Sequence, residues 1–369
     1  MRFINTSYEN FIKSKKKIVQ FGASSAWHYY INAFPNIIDD IVDNTISIVD
    51  NDLNKQGKIF DIEGRKFMID NVDSICLKED FVILIVVSLA YQKKICEQLL
   101  SLNLPDSVEC YSLPLMTTFN KLEVNNDCVD TYFKTHVERV NVPIIHSFWF
   151  SGEEKPELYK RCIDSWHKYC PDFEIKEWNT GNYDVTKNLY MKQAYEQRKW
   201  AFVSDYARLD VVYRYGGIYM DMDVELLSSI EKFLSAKSFF CRQEDGFLEL
   251  GSGFGACKGD EFIGEMLETY KHRKFILDNG KMDKTPQPEW LRKFFDKKGF
   301  KICHSSQVLG DTVVLSNDYI TCFTGEGSIE NARVGVHWHN GGWLDAKAKN
   351  LVKESFLVKK ELLEKYFVL

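Results

Sequence analysis

Apolar positions in the first 120 residues fall into short runs separated by polar turns. Lys17-Ile18-Val19-Gln20-Phe21-Gly22 reads as a strand ending in glycine, and Ile46-Ser47-Ile48-Val49-Asp50 as a strand ending in an acid. Phe81–Ala90 is the longest apolar run, and its Phe81–Val87 part predicts a strand buried on both faces of a sheet. Val108–Tyr111 adds a fourth strand. Helix-like stretches follow from Ser24 and over Gln92–Leu100, and strands alternating with helices predict a parallel sheet. A second α/β unit opens at Val142-Pro143-Ile144-Ile145-His146. The pattern therefore divides the chain into a smaller α/β domain over residues 1–120, a connector with one helical piece over 121–141, and a larger α/β domain over 142–369. Ala346–Phe367 closes the chain as a Lys-rich amphipathic helix, with Leu351, Val352, Phe356, Leu362 and Leu363 near one stripe. Its plain reading is packing on the larger domain, and its sharper one is peripheral contact with an anionic membrane.

Composition narrows the class. A length of 369 residues fits two domains. A net charge of −6 argues against a general nucleic-acid binder, which carries a strong basic excess. The ten cysteines include no Cys-x-x-Cys pair, and the N-terminus turns polar at once, so no secretory leader and no disulfide framework are expected. No apolar run approaches the ~20 residues of a membrane helix. Reduced thiols and a cytoplasmic setting are the expectation.

The chemistry concentrates in Trp200–Val224. Val203, Tyr206, Leu209, Val212 and Tyr213 repeat with helical spacing, and Gly216-Gly217 stops the helix because glycine accepts a left-handed backbone. Ile218-Tyr219-Met220 then predicts a short strand leading to Asp221-Met222-Asp223. Alternation along a strand would turn Asp221 and Asp223 to one side, where two carboxylates suit a hard divalent cation. Asp205 and Arg208, three residues apart, share a helix face; they are either a sugar-gripping pair or a plain intrahelical ion pair.

Trp200-Ala201-Phe202-Val203-Ser204-Asp205-Tyr206-Ala207-Arg208 and Tyr215-Gly216-Gly217-Ile218-Tyr219-Met220-Asp221-Met222-Asp223 closely resemble the hallmark of the retaining glycosyltransferases that carry a sugar-binding region with the DXD motif. Pro143–Gly152 resembles that family's opening strand, which makes His146 and Trp149 nucleotide-sugar contacts and Trp149 the platform for the base. Ser165-Trp166, Pro171–Asn179 and Gly253-Phe254-Gly255-Ala256 resemble further family segments. Val336-His337-Trp338-His339-Asn340-Gly341-Gly342-Trp343 resembles the closing His-His-Trp-x-x-Ser-Trp, but Trp338 stands at the second His and Gly342 at the Ser. His337 and His339 both remain open as the third metal ligand, and Trp343 is a phosphate-contact candidate. Residues 1–120 resemble a Rossmann-like nucleotide-binding domain, with Gly22 at the phosphate turn and Asp50 at the ribose position, but with one glycine where that fingerprint has three.

The resemblance covers about residues 142–345 and implies a GT-A type nucleotide-diphospho-sugar transferase domain preceded by the smaller Rossmann-like domain. It implies Mn²⁺ or Mg²⁺ on Asp221 and Asp223, with Asp205, Arg208, Asp221 and Asp223 as the catalytic set. It further implies retaining hexose transfer from a nucleotide-sugar, a UDP-sugar ahead of GDP-mannose, to a saccharide or lipid-linked saccharide acceptor in bacterial capsule or lipopolysaccharide synthesis. Glu249 and Asp311 are weaker candidates on the acceptor side. The alternative of a different class is a nucleotide-binding or scaffolding protein whose transferase domain is inactive.

Overall fold

The computed structural model describes the chain except residues 7, 25, 26, 28, 29, 32–36, 120–123, 244, 245, 301, 302, 323–331, 340–356, 360, 368 and 369. It forms two compact units, Met1–Leu122 with Asn350–Leu369, and Glu123–Lys349.

The first unit is built on strands β1 (Arg2–Phe3), β2 (Ile18–Phe21), β3 (Thr45–Val49), β4 (Ile59–Ile62), β5 (Arg65–Asp70), β6 (Val82–Ile85) and β7 (Glu109–Ser112). Their order across the sheet is β1-β7-β6-β2-β3-β5-β4. Every neighbouring pair is parallel except the β4–β5 hairpin. The four expected strands are present, and the helix expected over Gln92–Leu100 spans Leu89–Ser101. Alternate residues of β6 serve opposite faces: Val82 and Leu84 join one apolar cluster, Ile83 and Ile85 the other. That double burial is why the segment reads as an unbroken apolar run. The hairpin escapes such a reading because its outer face is open, with Ile59 and Met68 paired and exposed.

Chain order reverses between β2 and β6, and Gly22 lies at the end of β2 with φ +109°. A Cβ there would lie 2.3 Å from Val87 Cγ1, so only glycine fits the turn. Asp50, expected at a ribose position, closes on its own chain instead. Its carboxylate accepts from the Ala23 amide at 2.8 Å, the Asp52 amide at 2.9 Å and Lys55 Nζ at 3.0 Å.

The C-terminal segment corrects the expected domain boundary. Leu362, Tyr366 and Phe367 are buried with Phe21, Val49 and Ile85 of the first unit, and Phe3 meets Tyr366 and Phe367 edge-on at 5.5 and 5.1 Å. The described part of the stripe, Leu362 and Leu363, thus packs on the first unit rather than on the larger domain; Leu351, Val352 and Phe356 lie outside the described residues. The expected connector is corrected as well. Its helix, Asp127–Thr135, buries Val129 and Tyr132 in the core of the second unit. No described helix is long and apolar enough to cross a membrane.

The second unit holds β8 (Ile144–Phe148), β9 (Glu174–Trp178), β10 (Gly217–Tyr219), β11 (Val224–Leu226), β12 (Ser238–Arg242), β13 (Leu248–Ala256), β14 (Gln307–Leu309), β15 (Thr312–Leu315), β16 (Ile320–Cys322) and β17 (Gly335–His337). Seven of them form one sheet in the order β14-β15-β12-β13-β10-β8-β9, and β11-β17-β16 form a small second sheet. The large sheet is buried on both faces. Phe240 and Val314 face one cluster with the helix Trp200–Tyr215, while Phe239, Cys241, Val313 and Leu315 face the other with Trp166. This is a mixed α/β architecture with helices on both sides of its main sheet.

The join between the helix Trp200–Tyr215 and β10 carries the most sequence information. Gly216 and Gly217 have φ of +74° and +94°, and a Cβ on Gly217 would lie 2.7 Å from Ile144 O. The glycine pair therefore lets β10 turn sharply out of the helix and lie parallel against β8, with Ile218 opposite Ile145 and Tyr219 opposite His146. His146 bolts this corner. Its Nε2 donates to Gly216 O at 2.8 Å and its Nδ1 accepts from the Trp178 indole at 3.1 Å. Both ring nitrogens are satisfied in a neutral ring, and the residue is fully buried. The sequence expectation of a nucleotide contact at His146 is thus corrected: the ring is a bolt inside the sheet, with no open face.

Two outcomes follow from this packing. Leu362→Ala should destabilise the first unit by about 2–5 kcal/mol, the cost of removing a buried leucine side chain, as read by chemical unfolding. His146 gives a pH signature. Burial, helped by Lys176 and opposed by the Gly216 carbonyl, lowers its pKa from 6.5 to about 4. Between those values the unfolded chain binds the proton and the folded one does not, so stability is lost as pH falls from 6.5 to about 4. The loss is about 3 kcal/mol, and His146→Gln, which keeps a donor but cannot titrate there, should flatten that part of the profile.

Candidate active site

The end of β10 opens into a cavity of about 390 Å³. Its walls include Trp149 and Tyr159, the start of the helix Trp200–Tyr215, and Arg208, Asp221, Asp223, Glu249, His337 and His339. Five separate stretches of chain thus meet at one point.

Asp221 and Asp223 come together by a route other than strand alternation. β10 ends at Tyr219, and the chain then turns, with the Val224 amide donating to Asp221 O at 3.0 Å. The Asp221 amide is held by Gly251 O at 2.9 Å, and Asp223 O accepts from the Trp338 amide at 2.9 Å. Each aspartate's backbone is therefore anchored by a different stretch of chain, Asp221 by β13 and Asp223 by the residue that follows β17. Gly251 matters to this. A Cβ there would lie 2.6 Å from Asp221 Oδ2 and 2.9 Å from Glu249 Oε1, so the missing side chain is what lets two carboxylates approach one backbone.

His337 arrives on β17, which pairs with β11 so that His337 stands opposite Val224. Its Nε2 is 3.2 Å from Asp223 Oδ1 and 3.9 Å from Asp221 Oδ2. His339, with φ +42°, packs its ring at a tilt of 33° against His337, 4.0 Å between ring centroids, and turns its Nε2 toward Glu249, 3.9 Å away. Of the two histidines, His337 faces the aspartate pair. Ligand atoms of Asp221, Asp223 and His337 lie within 4.8 Å of one another, a donor set of two carboxylates and one imidazole that suits a divalent cation.

Arg208 is buried, and its guanidinium bridges Asp205 at 3.2 Å and Asp221 at 3.6 Å while lying 4.8 Å over the Tyr219 ring. Burial alone would lower its pKa, but Tyr219, Asp221 and Asp205 outweigh that and raise it, so the charge is permanent. Asp205 is 7% exposed and does not line the cavity. Burial pushes its carboxyl up to about 6, against the pull of Arg208 and Arg273, with Asp221 adding to the rise. The expected sugar-gripping pair is therefore split by depth: Arg208 reaches the cavity wall, and Asp205 holds Arg208 from behind.

Trp149 follows β8 and is half-buried, its indole donating to Glu153 O at 2.7 Å and its edge set against Tyr159 at 5.4 Å. Its ring is thus fixed on the cavity wall. Trp343 lies outside the described residues. Asp311 does not line this cavity; it lines a separate recess with Lys237, Asp260 and Lys298.

Ser252 is a site residue that the sequence hid, and Glu249, a weaker acceptor-side candidate there, lies on the cavity wall beside His337. Glu249 is held by Ser252 Oγ and lies 3.5 Å from His337 Nδ1. Burial would raise its pKa, but His337, His339 and the Ser252 hydroxyl outweigh burial and hold it well below the usual carboxylate range. The one local signal was the alternation Gly251-x-Gly253-x-Gly255, which marks a strand that other groups approach closely.

Residues 156–240 match the family described as "Glycosyltransferase sugar-binding region containing DXD motif". The chain is also similar to inositol phosphoceramide mannosyltransferase 1 of Schizosaccharomyces pombe, 24% identical over 146 residues. That match takes in 36% of this chain and 44% of the relative, so the chain spans less than half of that protein's length. Among solved structures, a PaToxG glycosyltransferase aligns at 16% identity and a TM-score of 0.31, over 47% of this chain and 79% of that one. The matched residues 156–240 include the helix Trp200–Tyr215, β10 and the aspartate pair, so it is over this stretch that the chain is similar to the DXD-containing sugar-binding region of a glycosyltransferase family.

Proposed function

We propose that the second unit is a GT-A type, retaining glycosyltransferase that moves a hexose from a nucleotide-sugar to a saccharide or lipid-linked saccharide. The observation that carries this is the convergence of Asp221, Asp223 and His337 beside Arg208 in a cavity whose size suits a small-molecule ligand. The family match over residues 156–240 and the donor set at the cavity both support this reading.

A bound Mn²⁺ or Mg²⁺ would neutralise the donor diphosphate and the charge that grows on it as the sugar–phosphate bond breaks. Asp221, Asp223 and His337 would hold that ion. Arg208, permanently charged and fixed by Asp205, stands beside Asp221 where it can bind the donor's sugar or phosphate oxygens. Lys199 and the first turn of the helix from Trp200 line the same cavity, and a helix N-terminus favours an anionic group. Trp149 offers its ring face to the base. Phe148, Phe150 and Met222 add apolar contacts to the same wall.

A UDP-sugar and GDP-mannose are the donors to compare; the mannosyltransferase relative speaks for the second, and the breadth of the family for the first. Surface polysaccharide synthesis, in capsule or lipopolysaccharide, on the cytoplasmic side of a membrane is the setting proposed for the acceptor. The first unit would serve as a Rossmann-shaped module without a catalytic role, a reading supported by the closure of Asp50 on Ala23 and Lys55.

A panel of UDP- and GDP-sugars incubated with Mn²⁺ should give nucleoside diphosphate release from one donor, abolished by EDTA. Asp223→Ala should lower transfer by at least about 10²-fold, because it removes a group that organises leaving-group charge. Near-normal transfer by that variant, or release indifferent to EDTA, would contradict the assignment.

A further inference from the structure

The two ring nitrogens of His337 face different chemistry. Nε2 looks at Asp223 and Asp221, at 3.2 and 3.9 Å. Nδ1 looks away from them, to Ser252 Oγ at 2.9 Å and Glu249 Oε2 at 3.5 Å. Ser252 is fully buried, and its hydroxyl donates to Glu249 Oε2. A hydroxyl has one proton, and here Glu249 takes it; the face that Ser252 turns to His337 is therefore an acceptor. The ring then carries a proton on Nδ1, which leaves Nε2, the nitrogen facing the aspartate pair, as the one a cation would take.

We propose that Ser252 and Glu249 are positioning residues for His337: a Nδ1–H···Oγ–H···carboxylate relay that fixes the ring's tautomer and orientation and keeps Nε2 ready as a cation ligand. The inference rests on the cation reading of Asp221, Asp223 and His337 given above. The physical gain is twofold. A histidine whose far nitrogen is held by an anionic network is a better donor and loses less freedom on binding a metal. The relay also gives Glu249 a task that does not require it to touch the ion. Its burial beside two imidazoles would otherwise be a costly arrangement. The local chain explains how the relay is assembled. Glu249 and Ser252 both lie on β13, three residues apart, and Gly251 between them leaves room for Asp221 to approach the same stretch.

The test is Mn²⁺ binding to the full chain, measured by calorimetric titration, together with the ¹⁴N coupling of a coordinated imidazole in the electron-spin-echo spectrum of bound Mn²⁺. Wild-type protein should show that coupling. Ser252→Ala and Glu249→Gln should each weaken Mn²⁺ by about 10–100-fold. In a His337→Ala background neither change should weaken it further, because both act through the ring. Glu249→Gln is isosteric, and thermal melts of each variant show whether the fold is kept. Mn²⁺ affinity equal to wild type in both single variants would overturn the proposal. So would an equal further loss in the His337→Ala background, since Glu249 would then be binding the ion itself. Asp223→Asn separates the two levels. If it leaves Mn²⁺ affinity unchanged, the cation site itself is wrong and the relay falls with it. If it abolishes binding while Ser252→Ala and Glu249→Gln do nothing, the relay alone is wrong.

Discussion

Like charge brought to one place is the constraint that organises the second unit. Asp221, Asp223 and Glu249 all line one cavity. Two such charges about 4 Å apart repel by about 4 kcal/mol near a protein surface, and by more where water is excluded. Each is met by a specific counter-group. Arg208 and the Tyr219 hydroxyl face Asp221, His337 faces Asp223, and Ser252 and the two imidazoles face Glu249. Arg208 is itself shared with Asp205, so protein cations do not fully balance the wall. A wall of this kind repels a diphosphate unless a divalent cation lies between them, and this is the electrostatic core of the proposed function.

That charge arrangement depends on backbone that only glycine permits. Gly217 lets β10 lie against β8, and Gly251 lets Asp221 lie against β13. His146 and Trp178 hold the first of these contacts from inside the sheet. The small sheet of β11, β17 and β16 then brings His337 across from more than a hundred residues downstream. The site is therefore a property of strand order as much as of the motif.

The sequence made the local parts legible. The helix before the glycine pair, the strand after it and the parallel sheet of the first unit all follow from short-range periodicity. What it concealed was long-range. A helical piece in the connector and an amphipathic stripe reaching Leu362 and Leu363 could be recognised, but nothing in their spacing says which core will take them. His146 follows a family pattern, yet its role is set by a carbonyl and an indole that arrive from elsewhere in the chain. The strand argument for Asp221 and Asp223 reached a correct pairing by an incorrect route, because a turn stabilised by Gly251 O and Val224 replaces the strand. Glu249 was legible only as an acceptor-side candidate, because an acid in an apolar stretch carries no local sign that two imidazoles will face it.

The most direct measurement is the anomalous scattering of Mn²⁺ in crystals of the full chain soaked in MnCl₂. The account predicts a peak at coordination distance from Asp223 and from His337 Nε2, with Glu249 beyond the ion's reach. A peak held by Glu249 and His339, or the absence of any peak at the aspartate pair, would contradict it.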